Sequence, residues 1–167
     1  AQMNPPLRDK SHYDRLWYGV KNNLNDTIGS DHAPHTKEEK LVEYWRAPSG
    51  LPGVETSLPL MLHAAHQGLI SYEQIVSLMC ARPAEIFRLP TKGAIEVGMD
   101  ADLILVRDGE TMDLAPSDLL SRCDWSPFEG TTMAAKPELV INGGAVVAQK
   151  GKIVDTTFRG HCVEPSI

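Results

Sequence analysis

The chain has 167 residues, 42% of them hydrophobic and 23% charged, and a formal net charge of -6 at pH 7. This composition is typical of a folded globular unit and excludes a disordered chain. The acidic balance disfavours general binding to nucleic-acid backbones, and no apolar stretch is long enough to predict a membrane span. The three cysteines are widely spaced and odd in number, so we expect reduced thiols in a cytoplasmic protein.

The first elements are a proline-rich loop, a helix and a strand. Two prolines keep residues 4–8 out of a helix. Ser11 is predicted to cap a helix whose apolar residues recur at helical spacing as far as Leu24. A strand over residues 26–30 follows, and Asp31 stands at its end.

The middle of the chain combines a long loop with helices. Residues 36–53 are predicted to form an irregular loop, and loops of that length inside a domain are usually functional. A helix is predicted over residues 54–67. Ser71 and Gln74 form the sequence pattern of a capping box, which opens another helix that Pro83 breaks or re-aims.

Short β-type runs dominate after about residue 90. Gly143-Gly144 and Lys150-Gly151 are predicted to form tight hairpin turns. The predicted strands are Ala94–Val97, Leu103–Val106, Leu139–Asn142, Ala145–Ala148 and Ile153–Val154.

Asp31 and His35 are the residues best suited to chemistry. A carboxylate at the C-terminal end of a barrel strand points into the active-site mouth, where it can bind zinc and move a proton. His35 can donate to a substrate carboxylate or ligate a metal, and Pro34 keeps the segment out of a helix. The alternatives are a turn-capping aspartate and a surface loop histidine.

Other residues of these loops have both a functional and an ordinary interpretation. Asn4 can hydrogen-bond to a polar ring or a carboxylate, or can simply form a turn. Gly50 allows the backbone to approach a ligand closely. His32 is predicted to face away from the site, and Lys40 is interpreted as a solvated loop charge.

Histidines and tryptophans elsewhere are assigned to structure. His63 and His66 lie three apart on a helix, but no carboxylate partner is evident, so they are interpreted as helix-surface residues. Trp17, Trp45 and Trp125 are interpreted as core or interface residues. No phosphate-binding loop or nucleophile elbow is present in the sequence.

The run Gly29-Ser30-Asp31-His32-Ala33-Pro34-His35, followed by Lys40, resembles the second signature of dihydroorotases. These enzymes are metal-dependent cyclic amidohydrolases of pyrimidine biosynthesis. Four further stretches resemble the same family in order along the chain: Asn4–Arg8, Gly50–Thr56, Val97–Leu103 and Trp125–Gly130.

The resemblance implies an α/β fold, with a (β/α)8 barrel and a small β-sandwich built from both chain ends. Residues 1–90 would be the C-terminal segment of that barrel. Residues 91–167 would belong mainly to the β-sandwich, with a return loop or helix near residues 115–130. A barrel requires eight strand–helix units, so most of it would lie outside this chain.

The resemblance also implies roles for individual residues. Asp31 would ligate one or two zinc ions and act as general base and acid. His35, assisted by Asn4, would hold the substrate carboxylate, and the backbone around Ser49 and Gly50 would contact the pyrimidine ring. The reaction would be the reversible cyclisation of N-carbamoyl-L-aspartate to dihydroorotate.

One departure from the family affects this interpretation. The other metal ligands of the family are a His-x-His pair, a modified lysine or an aspartate, and two more histidines, and none has a match in the sequence. We therefore expect a C-terminal portion that is inactive alone. Its expected partners are the N-terminal portion, further copies in a homo-oligomer, and aspartate transcarbamoylase.

Two alternatives stay open at this point. The first is another cyclic amidohydrolase, a hydantoinase or an allantoinase, although those relatives usually lack a histidine at the position of His35. The second is a non-catalytic scaffold subunit, which the missing ligands favour.

Overall fold

The computed structural model describes residues 2–166, with helices in the first half and an antiparallel sheet in the second. The helices are α1 (Tyr13–Lys21), α2 (Lys37–Lys40), α3 (Val54–His66), α4 (Tyr72–Val76) and α5 (Arg82–Ile86). Short helical turns cover Lys10–His12, Ser77–Ala81 and Pro116–Asp118. The strands are β1 (Leu103–Asp113), β2 (Thr132–Asn142), β3 (Ala145–Gln149) and β4 (Lys152–Ile153), paired in the order β1-β2-β3-β4.

Local capping signals set the starts of two helices. The Ser71 hydroxyl accepts from the Gln74 amide, and the Gln74 side chain accepts from the Ser71 amide, so the predicted capping box is confirmed. Thr36 and Glu39 form a second capping box at the start of α2. Helix α2 lies at the beginning of residues 36–53, so the prediction of an irregular loop there was wrong in this part.

The start of the first helix differs from the prediction. The capping residue is Asp9 and not Ser11. The Asp9 carboxylate accepts a hydrogen bond from the Ser11 amide at 2.9 Å. A 3₁₀ turn over Lys10–His12 therefore precedes α1. Helix α1 ends at Lys21 because Asn23 adopts a positive φ of 54°, which ends the helical path before Leu24.

Two predicted strands do not form. Residues 26–30 have no strand beside them within residues 2–166, and the Ile28 amide donates instead to the Leu78 carbonyl of a helical turn. Ala94–Val97 is likewise irregular, and the Val97 side chain is completely exposed. Extended, β-branched sequence becomes a strand only where a neighbour takes up its backbone hydrogen bonds.

Three of the other predicted strands are confirmed and are longer than expected, whereas the fourth, Ile153–Val154, forms one residue earlier as Lys152–Ile153. Leu103–Val106 is the start of β1 and Leu139–Asn142 is the end of β2. Both predicted hairpins are present, since Asn142 pairs with Ala145 and Gln149 with Lys152 across their turns. The region near residues 115–130 contains a 3₁₀ turn and two further turns, at 122–123 and 127–130, so the predicted return is a loop over most of its length.

Helix α3 packs on strand β2 and forms the centre of the core. The buried core residues are Leu62, Ala64, Ile70, Ile75, Leu78 and Ala135. His63 Nδ1 accepts from the Ala134 amide at 3.2 Å, and His66 Nδ1 lies 2.9 Å from an Asp108 oxygen. Each histidine therefore ties α3 to the sheet. His63 is half-buried against β2, which corrects its interpretation as a surface residue.

Large apolar side chains remain exposed on the helical half of the chain. Helix α1 buries none of its residues, and Leu16 is 62% exposed. Trp17 packs against the core, whereas Trp45 is 85% exposed, so Trp45 is not a core residue and its alternative interpretation as an interface residue stays a prediction. Within residues 2–166 no helix combines the length and the apolar character required to cross a bilayer.

The Asp108 carboxylate joins two helices to the sheet, and this makes stability depend on pH. Hydrogen bonds from Tyr72 and then from His66 lower the pKa of Asp108 below its ordinary value of 3.8. A lowered folded-state pKa contributes stability above the unfolded value, and this contribution is lost as the pH falls through the folded value.

Asp108→Asn should therefore lower the melting temperature at pH 7, and the difference should shrink as the pH falls below about 4. Circular dichroism melts between pH 2.5 and 7 would measure it, with Asp124→Asn as a control at another exposed aspartate. A difference between variant and parent that is constant over this range would contradict the assignment.

Candidate functional site

Two backbone segments run side by side to form the candidate site. His32 and Leu51 form a parallel bridge, and the Ala33 amide donates to the Leu51 carbonyl at 3.0 Å. The segment from Asp31 to His35 is thereby fixed beside the segment from Ser49 to Val54. The sequence had suggested functional residues in both segments, and the structure brings the two together.

Gly50 makes this approach possible. Its φ is 125°, and a Cβ built on it would lie 2.4 Å from the Ala33 Cβ and 3.1 Å from the Ala33 carbonyl oxygen. A side chain at residue 50 would therefore push the two segments apart. The structure shows Gly50 in close contact with Ala33 of the same chain, and its predicted approach to a ligand stays a prediction.

His32 has the structural role that the sequence suggested. Its Nδ1 accepts from the Gly53 amide at 3.0 Å and from the Val54 amide at 3.2 Å. These are amides at the start of α3, where backbone donors have no partner within the helix. His32 therefore joins the site segment to the N-terminus of α3.

His35 is held by its backbone and presents its ring to a cleft. Its carbonyl accepts from the Trp125 indole Nε1 at 2.7 Å. The imidazole is 31% exposed, and its Nδ1 lies 3.5 Å from Glu39 Oε2. An open cleft beside it is lined by His35, Glu39, Val42, Glu43, Arg46 and Pro48. Trp125 is partly buried, and its hydrogen bond fixes the backbone at His35, a role that the sequence analysis did not predict.

Asp31 and Asn4 are exposed and uncommitted. Asp31 has a positive φ of 45°, a conformation that aspartate tolerates better than most residues, and it turns the chain sharply before His32. Among residues 2–166 the Asp31 carboxylate makes no side-chain hydrogen bond or ion pair, and Asp31 does not line the His35 cleft. Asn4 is also exposed.

The chain near Asn4 is nevertheless tied to the Ser49 loop. The Gln2 carbonyl accepts from the Gly50 amide at 3.1 Å. With its amide nitrogen facing the loop, the Gln2 side chain donates to the carbonyls of Tyr44 at 2.9 Å and Ala47 at 3.0 Å. The Ser49 hydroxyl is buried and has no hydrogen-bond partner within residues 2–166.

Lys40 belongs to the signature that the sequence analysis singled out, but its structural role was not predicted. Its Nζ donates to three carbonyl oxygens, those of Gln2 at 3.0 Å, Pro48 at 2.8 Å and Gly50 at 3.0 Å. The interpretation of Lys40 as a solvated charge was therefore wrong. The capping box at Thr36 could have given a hint, because a short helix begun there ends at Lys40 beside the loop.

The described residues do not form a metal centre by themselves. No group of three or more histidine, cysteine, aspartate or glutamate side chains within residues 2–166 is arranged to hold an ion. A zinc site requires three or four protein ligands, and Asp31 would be one of them. A metal bound here would need ligands from outside these residues.

The contact between Gly50 and Ala33 can be tested by substitution. Gly50→Ala should destabilise the chain by about 1–3 kcal/mol through overcrowding, in addition to backbone strain. Gly98→Ala is the matched control, because Gly98 has a φ of 98° but nothing within 4 Å of its added Cβ. Denaturant unfolding of both variants would measure the difference. Equal losses would show that the strain alone matters.

Comparison with known proteins places the chain in a family. It matches the amidohydrolase family over residues 5–154. It is 47% identical to a dihydroorotase of Halobacterium salinarum over 130 residues, which are 78% of this chain and 31% of that protein. It is 39% identical to an L-hydantoinase of Paenarthrobacter aurescens over 158 residues, or 92% of this chain and 34% of the relative.

Solved structures agree with this similarity. The chain superposes on the L-hydantoinase of Arthrobacter aurescens with a TM-score of 0.87 and 38% identity, covering 92% of this chain and 35% of the other. A D-hydantoinase from a Thermus species gives a TM-score of 0.90 and 28% identity over 98% of this chain and 37% of the other. The chain thus spans about a third of the length of the proteins it matches. It belongs to the amidohydrolase family.

Proposed function

We propose that this chain is the part of a dihydroorotase-type cyclic amidohydrolase that supplies a proton-transferring carboxylate and a binding site for the substrate carboxylate. The reaction is the reversible cyclisation of N-carbamoyl-L-aspartate to dihydroorotate. The observation that carries the proposal is the short segment from Asp31 to His35, whose backbone is fixed while the Asp31 carboxylate and the His35 ring stay accessible.

Asp31 has the role of general base and acid in this proposal. In the hydrolytic direction water adds to the carbonyl carbon of the ring amide, and the Asp31 carboxylate takes the proton of that water. The ring C–N bond then breaks, and Asp31 returns the proton to the leaving nitrogen. The Asp31 carboxylate is exposed and has no ion-pair partner among residues 2–166, which is compatible with both transfers.

His35 and its neighbours would bind the substrate. A ring N–H of His35 would donate to the substrate carboxylate, and the exposed amide of Asn4 would assist it. The Ser49 and Gly50 backbone would contact the pyrimidine ring. The ties between Gln2 and Gly50 support this grouping, because they hold the chain near Asn4 beside the Ser49 loop.

The proposal includes the rest of the enzyme. The helical part, residues 1–90, would complete a (β/α)8 barrel with further polypeptide, and residues 91–167 would belong mainly to a β-sandwich. Asp31 would contribute one ligand to a centre of one or two zinc ions, and the isolated chain would be inactive. The expected partners are the missing N-terminal portion, further copies of the protein and aspartate transcarbamoylase, in the cytoplasm.

Two other functions have specific support. A hydantoinase-type activity is supported by the L-hydantoinase relative and by the hydantoinase structures. A non-catalytic scaffold role is supported by the lack of a metal-binding cluster within residues 2–166. His35 favours dihydroorotase over hydantoinase, because hydantoin has no carboxylate for it to bind.

A chimeric enzyme would test the proposal. The 130 matched residues of the Halobacterium salinarum dihydroorotase would be replaced by the corresponding residues of this chain. We expect the chimera to turn over dihydroorotate and not hydantoin or allantoin. Asp31→Asn should reduce kcat by about 10²–10⁴-fold, as expected for the loss of a general acid–base group. His35→Ala should mainly raise KM, by about tenfold.

The controls use residues outside the candidate site. Asp124→Asn replaces another exposed aspartate with a positive φ, and His12→Ala replaces an exposed histidine of the first helical turn. Both should leave the rates unchanged. Turnover of hydantoin alone would favour the hydantoinase alternative, and a folded chimera no more active than its Asp31→Asn variant would favour the scaffold.

A further inference from the structure

We propose that Lys40 is a positioning residue, which holds the loops carrying Asn4, Ser49 and Gly50 in register with the segment that carries His35. This inference rests on the proposed function for its kinetic consequence, but its structural part stands on geometry alone. All three hydrogen bonds of the Lys40 ammonium go to backbone carbonyls, so Lys40 acts through the backbone to which it is bonded.

The hydrogen bonds of Lys40 match the donor capacity of an ammonium group. A lysine ammonium has three N–H donors, and Lys40 Nζ has three carbonyl acceptors at 2.8 to 3.0 Å. The side chain is half-buried, so these bonds replace much of its hydration. All three acceptors are neutral peptide oxygens, which favours a role in fixing backbone over a role in an ion pair.

The acceptors come from two distant parts of the chain. Gln2 lies 38 residues before Lys40, whereas Pro48 and Gly50 follow it by 8 and 10 residues. The Gln2 carbonyl accepts from Lys40 Nζ and also from the Gly50 amide. One ammonium group thereby connects helix α2 to two other segments, the N-terminal segment at Gln2 and the loop at Gly50.

The position of Lys40 is itself set by residues near His35. The capping box of Thr36 and Glu39 fixes α2 directly after His35, and Lys40 is the last residue of that helix. The imidazole of His35 and the ammonium of Lys40 are therefore placed by the same short helix. A displacement of Lys40 would change the spacing between His35 and the Ser49–Gly50 backbone.

Lysine is the side chain suited to this arrangement. Its ammonium is a compact point donor that can reach three oxygens converging on one atom. The N–H donors of arginine are spread over three nitrogens in one plane, so a guanidinium cannot donate from a single atom to three surrounding oxygens. Methionine has a straight chain of similar length but no donor, so Lys40→Met removes the bonds with little change in packing.

Hydrogen exchange on the chain itself tests the structural part. In Lys40→Met the Gly50 amide, which donates to Gln2, should exchange about tenfold or more faster than in the parent chain. The Leu69 amide, which donates to Ala64 at 2.9 Å in the core, should be unchanged. Lys37→Met, on the same helix, is the matched control and should alter neither amide.

Each result decides the inference. Unchanged exchange at Gly50 in Lys40→Met would overturn it. Faster exchange at both Gly50 and Leu69 would also overturn it, because Lys40 would then serve the stability of the whole fold. Lys40→Arg should give an intermediate rate at Gly50, since it keeps the charge but not the three-way geometry.

Kinetics of the chimera separate this inference from the proposed function. Lys40→Met should raise KM for dihydroorotate about tenfold and change kcat less than threefold, whereas a loss of folded enzyme would lower the apparent kcat and leave KM unchanged. Faster Gly50 exchange in a chimera without turnover would retain the role of Lys40 and reject the proposed function. If the chimera turns over dihydroorotate but Lys40→Met changes neither the Gly50 exchange nor the KM, the proposed function is retained and the role of Lys40 is rejected.

Discussion

Because only a hydrogen atom fits between the Gly50 Cα and Ala33, the two segments of the candidate site can approach to backbone hydrogen-bonding distance. The rest of the site is built on this approach. Lys40 and Gln2 hold the loop at Gly50, and His32 binds the amide of Gly53 at the start of helix α3. Most of these contacts end on backbone atoms, and within residues 2–166 the candidate side chain of Asp31 makes no hydrogen bond that holds the loops.

The parts of the fold that were predictable depend on local signals. The capping box at Ser71, the extent of α3 and the hairpin turns at residues 143–144 and 150–151 are encoded by neighbouring residues. The incorrect strands, residues 26–30 and 94–97, have β-type sequence but no partner strand among the described residues. Pairing is a non-local property, which single-sequence patterns do not contain.

The candidate site shows the same division. Asp31, His35, Asn4, Ser49 and Gly50 were selected by residue type and family resemblance, and the structure places their two main segments together. The roles of Lys40 and Trp125 were missed because their partners are main-chain oxygens. Every residue has a backbone carbonyl, so the sequence does not indicate which one will accept a hydrogen bond. Such contacts can be identified only from the three-dimensional structure of the loops.

Helix α3 is hydrogen-bonded at one end to the candidate site and near the other end to the sheet. Its 13 residues span about 20 Å. At one end Gly53 and Val54 meet His32, and near the other end His63 meets strand β2 at Ala134. The helix therefore connects the sheet to the segment of the candidate site that carries His32. A change in the sheet at Ala134 would therefore act, through the whole length of α3, on the position of His32 at the other end of the helix.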